Sequence, residues 1–145
     1  MVIASEDVGM AYPQAISIVT SCVQASQMVG FPEARIMLAQ AAILLASSPK
    51  SNSGICAIDA ALNDLQTRKI DDVPATLKDS HYKGAEKLGR GQDYKYPHAF
   101  GGWVEQQYLP DNLYREGVRY YEPTSNGTEA SFKKYLEEIR SRNKK

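Results

Sequence analysis

The residues with the most chemical potential crowd into "HYKGAEKLGRGQDYKYPH", His81 to His98. Gly84, Gly89, Arg90 and Gly91 have the glycine density of a phosphate-binding loop. Such a loop needs G-x-x-x-x-G-K-[ST] between a strand and a helix, so that backbone amides cradle phosphate, a lysine contacts it and a hydroxyl holds magnesium. Here Arg90 and Gly91 follow the second glycine, and Pro74 with charged residues lies upstream instead of an apolar strand. The glycines therefore serve tight turns rather than a nucleotide.

His81 and His98, with Asp79 and Asp93, are the next candidates, for metal or acid/base chemistry. A loop of this length separates the histidines, and no carboxylate stands at a helical offset to orient either ring, so they read as surface or hydrogen-bonded loop residues. Cys22 falls on an apolar helical stripe and reads as core, and Cys56, in a helix's first turn, as structural. What remains is composition. Lys83, Lys87, Arg90 and Lys95 interleave with Tyr82, Tyr94 and Tyr96, a mixture that can stack bases and meet phosphates. Glu86 and Asp93 keep the net charge low, and the competing reading has the tyrosines packing a long loop with their hydroxyls in water. The candidate partner or DNA contacts are Tyr82, Lys87, Arg90, Tyr94, Lys95, Tyr96, His98 and Trp103; no catalytic, cofactor or metal residue is assigned.

The elements that must position these residues are punctuated by proline and glycine. Pro13 opens and Gly30 closes a first helix, with Ala15, Ile18, Cys22, Ala25 and Val29 on one stripe and Ile16, Val19 and Val23 beside it. Pro32 opens and Pro49 ends a second, apolar almost all round, which is expected to be the most central element. Ser51, Asn52 or Ser53 can cap a third, whose Ile55, Ile58, Leu62 and Leu65 share a face, so that it lies amphipathic at the surface. About ten large aliphatic side chains from these helices, at roughly 1.5–3 kcal/mol each before entropy, would stabilise a bundle. After Ile70 the pattern breaks. Between Asp71 and Gly127 stand seven tyrosines, Trp103 and four prolines, which predicts a long irregular region pinned by its aromatics. Helical turns are expected near "PATLKD" and "WVEQQYL", with "VRYYEP" extended. Asn126 and Glu129 resemble a capping box for a last helix in which Phe132, Tyr135, Leu136 and Ile139 repeat at helical spacing. The fold class is mainly all-α: a bundle over residues 1–70, then a loop-rich segment and C-terminal helix over 71–145, packed as one domain.

The 145 residues carry 17 basic and 17 acidic side chains, so no bulk charge suits coating a nucleic acid or a membrane. The first 66 residues lean acidic and the rest basic. "IMLAQAAILLA" is too short for a bilayer and contains Gln40. The start lacks a signal sequence, and two isolated cysteines fit a reducing compartment.

These residues also carry a resemblance. "ASEDVG", "LAQAAILLASSPKSNS" with "AIDAAL", "DSHYKGAEKLGRGQDYKYPH", "GGWVEQQYLP" and "RYYEPTSNG", in that order from Ala4 to about Glu138, closely resemble the C-terminal region of the RarA/MgsA family of AAA+ ATPases, whose eukaryotic relative is the Werner-helicase-interacting ATPase. One position departs: an acidic residue commonly follows "YPH" in the family, and Ala99 stands here. The resemblance implies a clamp-loader-like helical region that assembles a replication-fork and recombination ATPase into a homotetramer, in a cytoplasmic, nucleoid-associated protein. It implies ATP and magnesium for the parent but no cofactor in this chain, and DNA and single-stranded DNA-binding protein as the parent's partners. The nucleotide machinery is expected upstream of Met1, so the chain reads as a fragment that assembles but does not hydrolyse. Oligomerisation is the leading reading, nucleic-acid binding through the Lys/Tyr segment the alternative, and a small hydrolase using His81 or His98 the third.

Overall fold

Among the described residues, the α-helices are α1 (Ala15–Val29), α2 (Ala34–Ser47), α3 (Ser53–Thr67), α4 (Asp111–Arg115) and α5 (Glu129–Arg142), with a π-helical turn at Ala4–Val8 and a 3-10 turn at Gly9–Ala11 ahead of α1. This computed structural model describes residues 1–79, 91 and 93–142, and among the described residues there is no strand. The class is all-α. The chain divides into two units, Met1–Ala61 with Tyr120–Arg140, and the described residues of Leu62–Arg119 and Ser141–Lys145. The division falls within α3.

In the first unit the punctuation works as the sequence predicts. The Ala15 amide reaches the Tyr12 carbonyl at 3.0 Å to start α1, and Gly30, at φ 78°, ends it in a backbone conformation that side chains disfavour. α2 begins after a cis Phe31–Pro32 bond. It stops at Ser48, which is extended ahead of Pro49 as a residue preceding proline must be. Its last carbonyls are not left bare. Lys50 Nζ donates to Leu45 O at 2.7 Å and to Ser48 O, a cation meeting the negative end of a helix.

The core differs from the expected one in a telling way. α1 and α2 pack through small residues, and the buried cluster is Ala4, Val8, Ala15, Val19, Cys22 and Ala41, with Tyr12, Ile16, Ile18, Met37, Leu44 and Leu45 partly buried around it. Small side chains let two helices approach closely, and the bulky aliphatics, which need room, are displaced to the flanks. α2 is therefore not the central element. Only Ala34 and Ala41 are buried along it, while Ile36 is 61% and Ile43 65% exposed. On α3, Ile58, Leu62 and Leu65 are exposed as well. The predicted ledger of about ten buried large aliphatics does not hold for this chain. Polar positions on α1 are absorbed locally: Thr20, Ser21 and Ser26 each donate a hydroxyl to the carbonyl four residues back.

The second unit is mostly irregular. Among the described residues, beyond the end of α3 its helical pieces include the turns Ala75–Leu77 and Pro97–Phe100 and the short α4. The first lies in "PATLKD" as expected. "WVEQQYL" is not helical; the turn that follows it begins at Asp111, after Pro110 has fixed an extended entry. "VRYYEP" carries no helix, in keeping with the extended reading. Leu113 is the buried hydrophobic residue of this unit among the described residues. Amide and carboxylate side chains hold the described loops at two places. Asp71 and Asn112 exchange backbone-to-side-chain bonds at 3.2 and 3.1 Å, and Asn112 Nδ2 adds a third to Lys69 O at 3.0 Å. Gln106 accepts from Lys95 N at 3.1 Å and donates to Lys95 O at 2.8 Å, acting as one rung of a missing strand.

Candidate functional site

The residues singled out by the sequence do not converge. Tyr82, Lys87 and Arg90, with His81, lie outside the described residues. Tyr94, Lys95, Tyr96 and His98 are exposed and Trp103 is half-buried. The Tyr96 and His98 rings sit 5.1 Å apart at 45°, a loose aromatic pair on the surface. Tyr94, Tyr96, Phe100, Tyr108 and Tyr114 are all exposed, whereas Tyr120 and Tyr121, at the end of the irregular region, are half-buried. Cys22 is buried and Cys56 exposed. Among the described residues, no group of three or more His, Cys, Asp or Glu side chains could hold a metal ion, and no helix is long and apolar enough to cross a membrane.

Two other features carry more. The first is a groove on α2 of about 790 Å³, lined by Arg35, Ile36, Ala39, Gln40, Ile43 and Leu44. Helical spacing puts Ile36, Ala39, Gln40 and Ile43 on one face, with a small residue between the two isoleucines. That is a shape into which another helix can settle, and apart from Arg35 and Gln40 its lining is apolar. A second apolar hollow, of about 540 Å³, includes Val2, Ile16, Ile55 and Ile58. Contiguous exposed apolar surface on this scale marks a place where something else binds.

The second feature is Glu129, at the start of α5, with no solvent exposure. Its Oε1 accepts from Tyr121 OH at 2.8 Å and from Ser53 Oγ, and its Oε2 from Thr124 Oγ1 at 2.5 Å. Ser51 Oγ donates to Ser53 Oγ at 3.0 Å, extending the chain of hydroxyls. Burial alone would raise the carboxyl pKa. The hydroxyls of Ser51, Ser53, Thr124 and Tyr121 outweigh it and hold the pKa at about 2, so the group is an anion. Burial, reinforced by the bond to Glu129 and its charge, pushes Tyr121 up to about 12.

This overturns the capping-box reading. Glu129 does not reach back to the Asn126 amide, which donates instead to Thr124 Oγ1 at 3.2 Å. Asn126 Nδ2 crosses to Lys50 O at 2.8 Å. The neighbouring backbone fits tightly. The Thr128 amide donates to Ala11 O and the Ser51 amide to Asp7 O, both at 2.8 Å. A Cβ on Gly127 would strike the Ala11 carbonyl and the Pro49 ring, and one on Gly9 the Ser51 carbonyl. Sequence reasoning missed the cluster because its members are 76 residues apart and each has a bland local explanation. The available signal was a density of hydroxyls, Ser51, Ser53, Tyr121 and Thr124, flanking two glycines.

The family described as "MgsA AAA+ ATPase C terminal" matches residues 1–140. Replication-associated recombination protein A of Bacillus subtilis (strain 168) is 55% identical over 144 residues, covering 98% of this chain and 34% of the relative. The protein of the same name from Escherichia coli (strain K12) is 37% identical over 131 residues, 89% of this chain and 29% of the relative. ATPase WRNIP1 of Dictyostelium discoideum is 34% identical over 123 residues, 83% of this chain and 14% of the relative. The chain thus spans about a third or less of the length of these curated relatives.

Proposed function

Because the chain belongs to the MgsA AAA+ ATPase C-terminal family, we propose that it is the oligomerisation module of a replication- and recombination-associated ATPase, and that α2 supplies the contact. The observation that carries this reading is the exposed apolar groove of α2, which lies outside the buried cluster of its unit. Burying Ile36 and Ile43 from each copy would contribute roughly 1.5–3 kcal/mol per side chain, and Ala39 between them allows close approach. The assembly is a homotetramer, as the family resemblance implies. The module itself is not catalytic. ATP and magnesium belong to parts of the longer protein with a G-x-x-x-x-G-K-[ST] loop, a motif this chain lacks, and so does the principal engagement with DNA, in a nucleoid-associated setting.

Light scattering and sedimentation across a concentration series test the reading. The chain is expected to associate, and Ile36→Asp or Ile43→Asp to give a folded monomer, since either places an uncompensated charge in an apolar contact. A wild-type chain that stays monomeric at high micromolar concentration would sink it. A second reading, single-strand binding by the 81–98 segment, draws on the exposed Tyr94 and Tyr96 and the Tyr96–His98 pair. It predicts affinity that falls steeply with salt, with a slope flattened by removing Lys87, Arg90 and Lys95. No binding at low salt would dispose of it.

A further inference from the structure

We propose that the Glu129 cluster is the clasp that shapes the α2 groove, so that self-association depends on a carboxylate the groove never touches. The inference rests on the self-association reading and adds its positioning residue. The physical route is short. α2 ends at Ser47, and the turn that follows it, Ser48 to Asn52, is gripped from the other side by residues 124–129. Asn126 Nδ2 holds Lys50 O at 2.8 Å. Gly127 lies so close to Pro49 that an added Cβ would be 2.8 Å from its Cγ. Glu129 takes hold of Ser53, just past the turn, while Tyr121 and Thr124 secure the carboxylate from its own side.

Pro49, in turn, shares a hollow of about 400 Å³ with Tyr12, Ile43, Leu44, Ser47 and Ser48. Ile43 and Leu44 also line the α2 groove. The clasped Pro49 and the groove residues Ile43 and Leu44 thus border one hollow, so a shift of the turn is felt at the end of the groove. With the carboxylate gone, three hydroxyls lose their shared acceptor, and the buried Ser53, left without one beside the half-buried Tyr121 and Thr124, drives rearrangement. The turn then samples other arrangements. Only the fraction of molecules with the groove formed can associate, and the apparent dissociation constant rises by the inverse of that fraction.

Sedimentation velocity over a concentration series, with far-ultraviolet circular dichroism to verify folding, tests this on the wild-type chain and on Glu129→Gln, Tyr121→Phe, Thr124→Val and Leu113→Ala. Glu129→Gln keeps the size but loses the charge and one acceptor, and is expected to associate about tenfold more weakly or worse. Tyr121→Phe and Thr124→Val each remove one donor and should shift association in the same direction by less. Leu113→Ala destabilises the chain elsewhere and should leave association unchanged. A folded Glu129→Gln chain that associates as tightly as wild type overturns the clasp and leaves the self-association reading standing. If Glu129→Gln fails to fold, folded Tyr121→Phe and Thr124→Val chains with wild-type association overturn it. Equal weakening by Leu113→Ala also overturns it, because the effect would then be general stability. A wild-type monomer removes both ideas.

Discussion

In the first unit, small residues bring α1 and α2 together and a buried anion ties α5 to Ser53 at the start of α3. In the second, Leu113 is the buried apolar residue among those described, and amide side chains stand in for a backbone ladder. Both arrangements fix irregular chain, but they place their apolar residues differently. The close-packed unit displaces Ile36 and Ile43 outward onto a helix, where they are rigidly displayed. The irregular unit displays Tyr94, Tyr96, Phe100, Tyr108 and Tyr114 on loops. A surface on a packed helix suits a permanent interface, because little entropy is lost when it is covered. Aromatics with polar tips on loops suit contacts that are made and broken.

The sharpest way to break this contrast is Gly127→Ala. Gly127 has φ 51°, and an added Cβ meets backbone on one side and the Pro49 ring on the other. Neither neighbour can swing away, so the substitution is expected to cost about 3–5 kcal/mol in urea unfolding monitored on the first unit. A loss of under about 1 kcal/mol would mean that the junction yields and that the first unit is no more rigid than the second. Acid titration probes the same junction through charge. The Glu129 pKa is about 2 in the folded chain against an ordinary 4.5, so the unfolded state binds the proton more readily. Stability from this group is full above pH 4.5 and declines as pH falls toward 2, by about 3 kcal/mol in all. Glu129→Gln should flatten that part of the profile. Tyr121 works in the opposite sense, its contribution intact below pH 10 and lost as pH rises through about 12.

Legibility in the sequence divides along the same line. Pro13, Gly30, Pro49 and the spacing of Phe132, Leu136 and Ile139 act through the local backbone and helix geometry, and they place α1, α2 and α5 correctly. Burial of α2 was misjudged because periodicity reports that a face is apolar, without saying whether the same chain or another copy covers it. Glu129 was misjudged because a Glu three residues after an Asn has a ready local explanation, whereas its real partner, Ser53, is brought near only by folding. In the loops, tyrosine content points to aromatic packing, while the bonds that Asn112 and Gln106 make to the backbone rest on geometry that composition does not encode. The apolar surface of α2 is thus legible in the sequence, whereas the clasp lies beyond local pattern.

Leu113→Ala probes the second unit's modest core and should cost about 2–3 kcal/mol of that unit's stability. Hydrogen exchange is expected to quicken around α4 while the α1 and α2 amides keep their protection. Equal acceleration of α1 would show that the units unfold together and that the contrast is one of composition alone.

The smallest and most local expectation concerns Gln106. Its side chain satisfies both backbone groups of Lys95 and lies 2.9 Å from Tyr108 OH, so it holds 94–96 beside 106–108 where no strand pairing exists. Gln106→Ala should cost about 1 kcal/mol, the net worth of a neutral hydrogen-bonded pairing in an exposed setting. Its signature is the Lys95 amide, which should lose protection while helix amides elsewhere are unmoved. Gln106→Glu separates the two bonds: the carboxylate still accepts from Lys95 N but cannot donate to Lys95 O, and opposes it instead. If side-chain amides hold this unit, Glu at 106 should therefore fail nearly as completely as Ala. A Lys95 amide that stays protected in both variants would mean the neighbouring tyrosines hold the loop after all, restoring the aromatic pinning that composition first suggested.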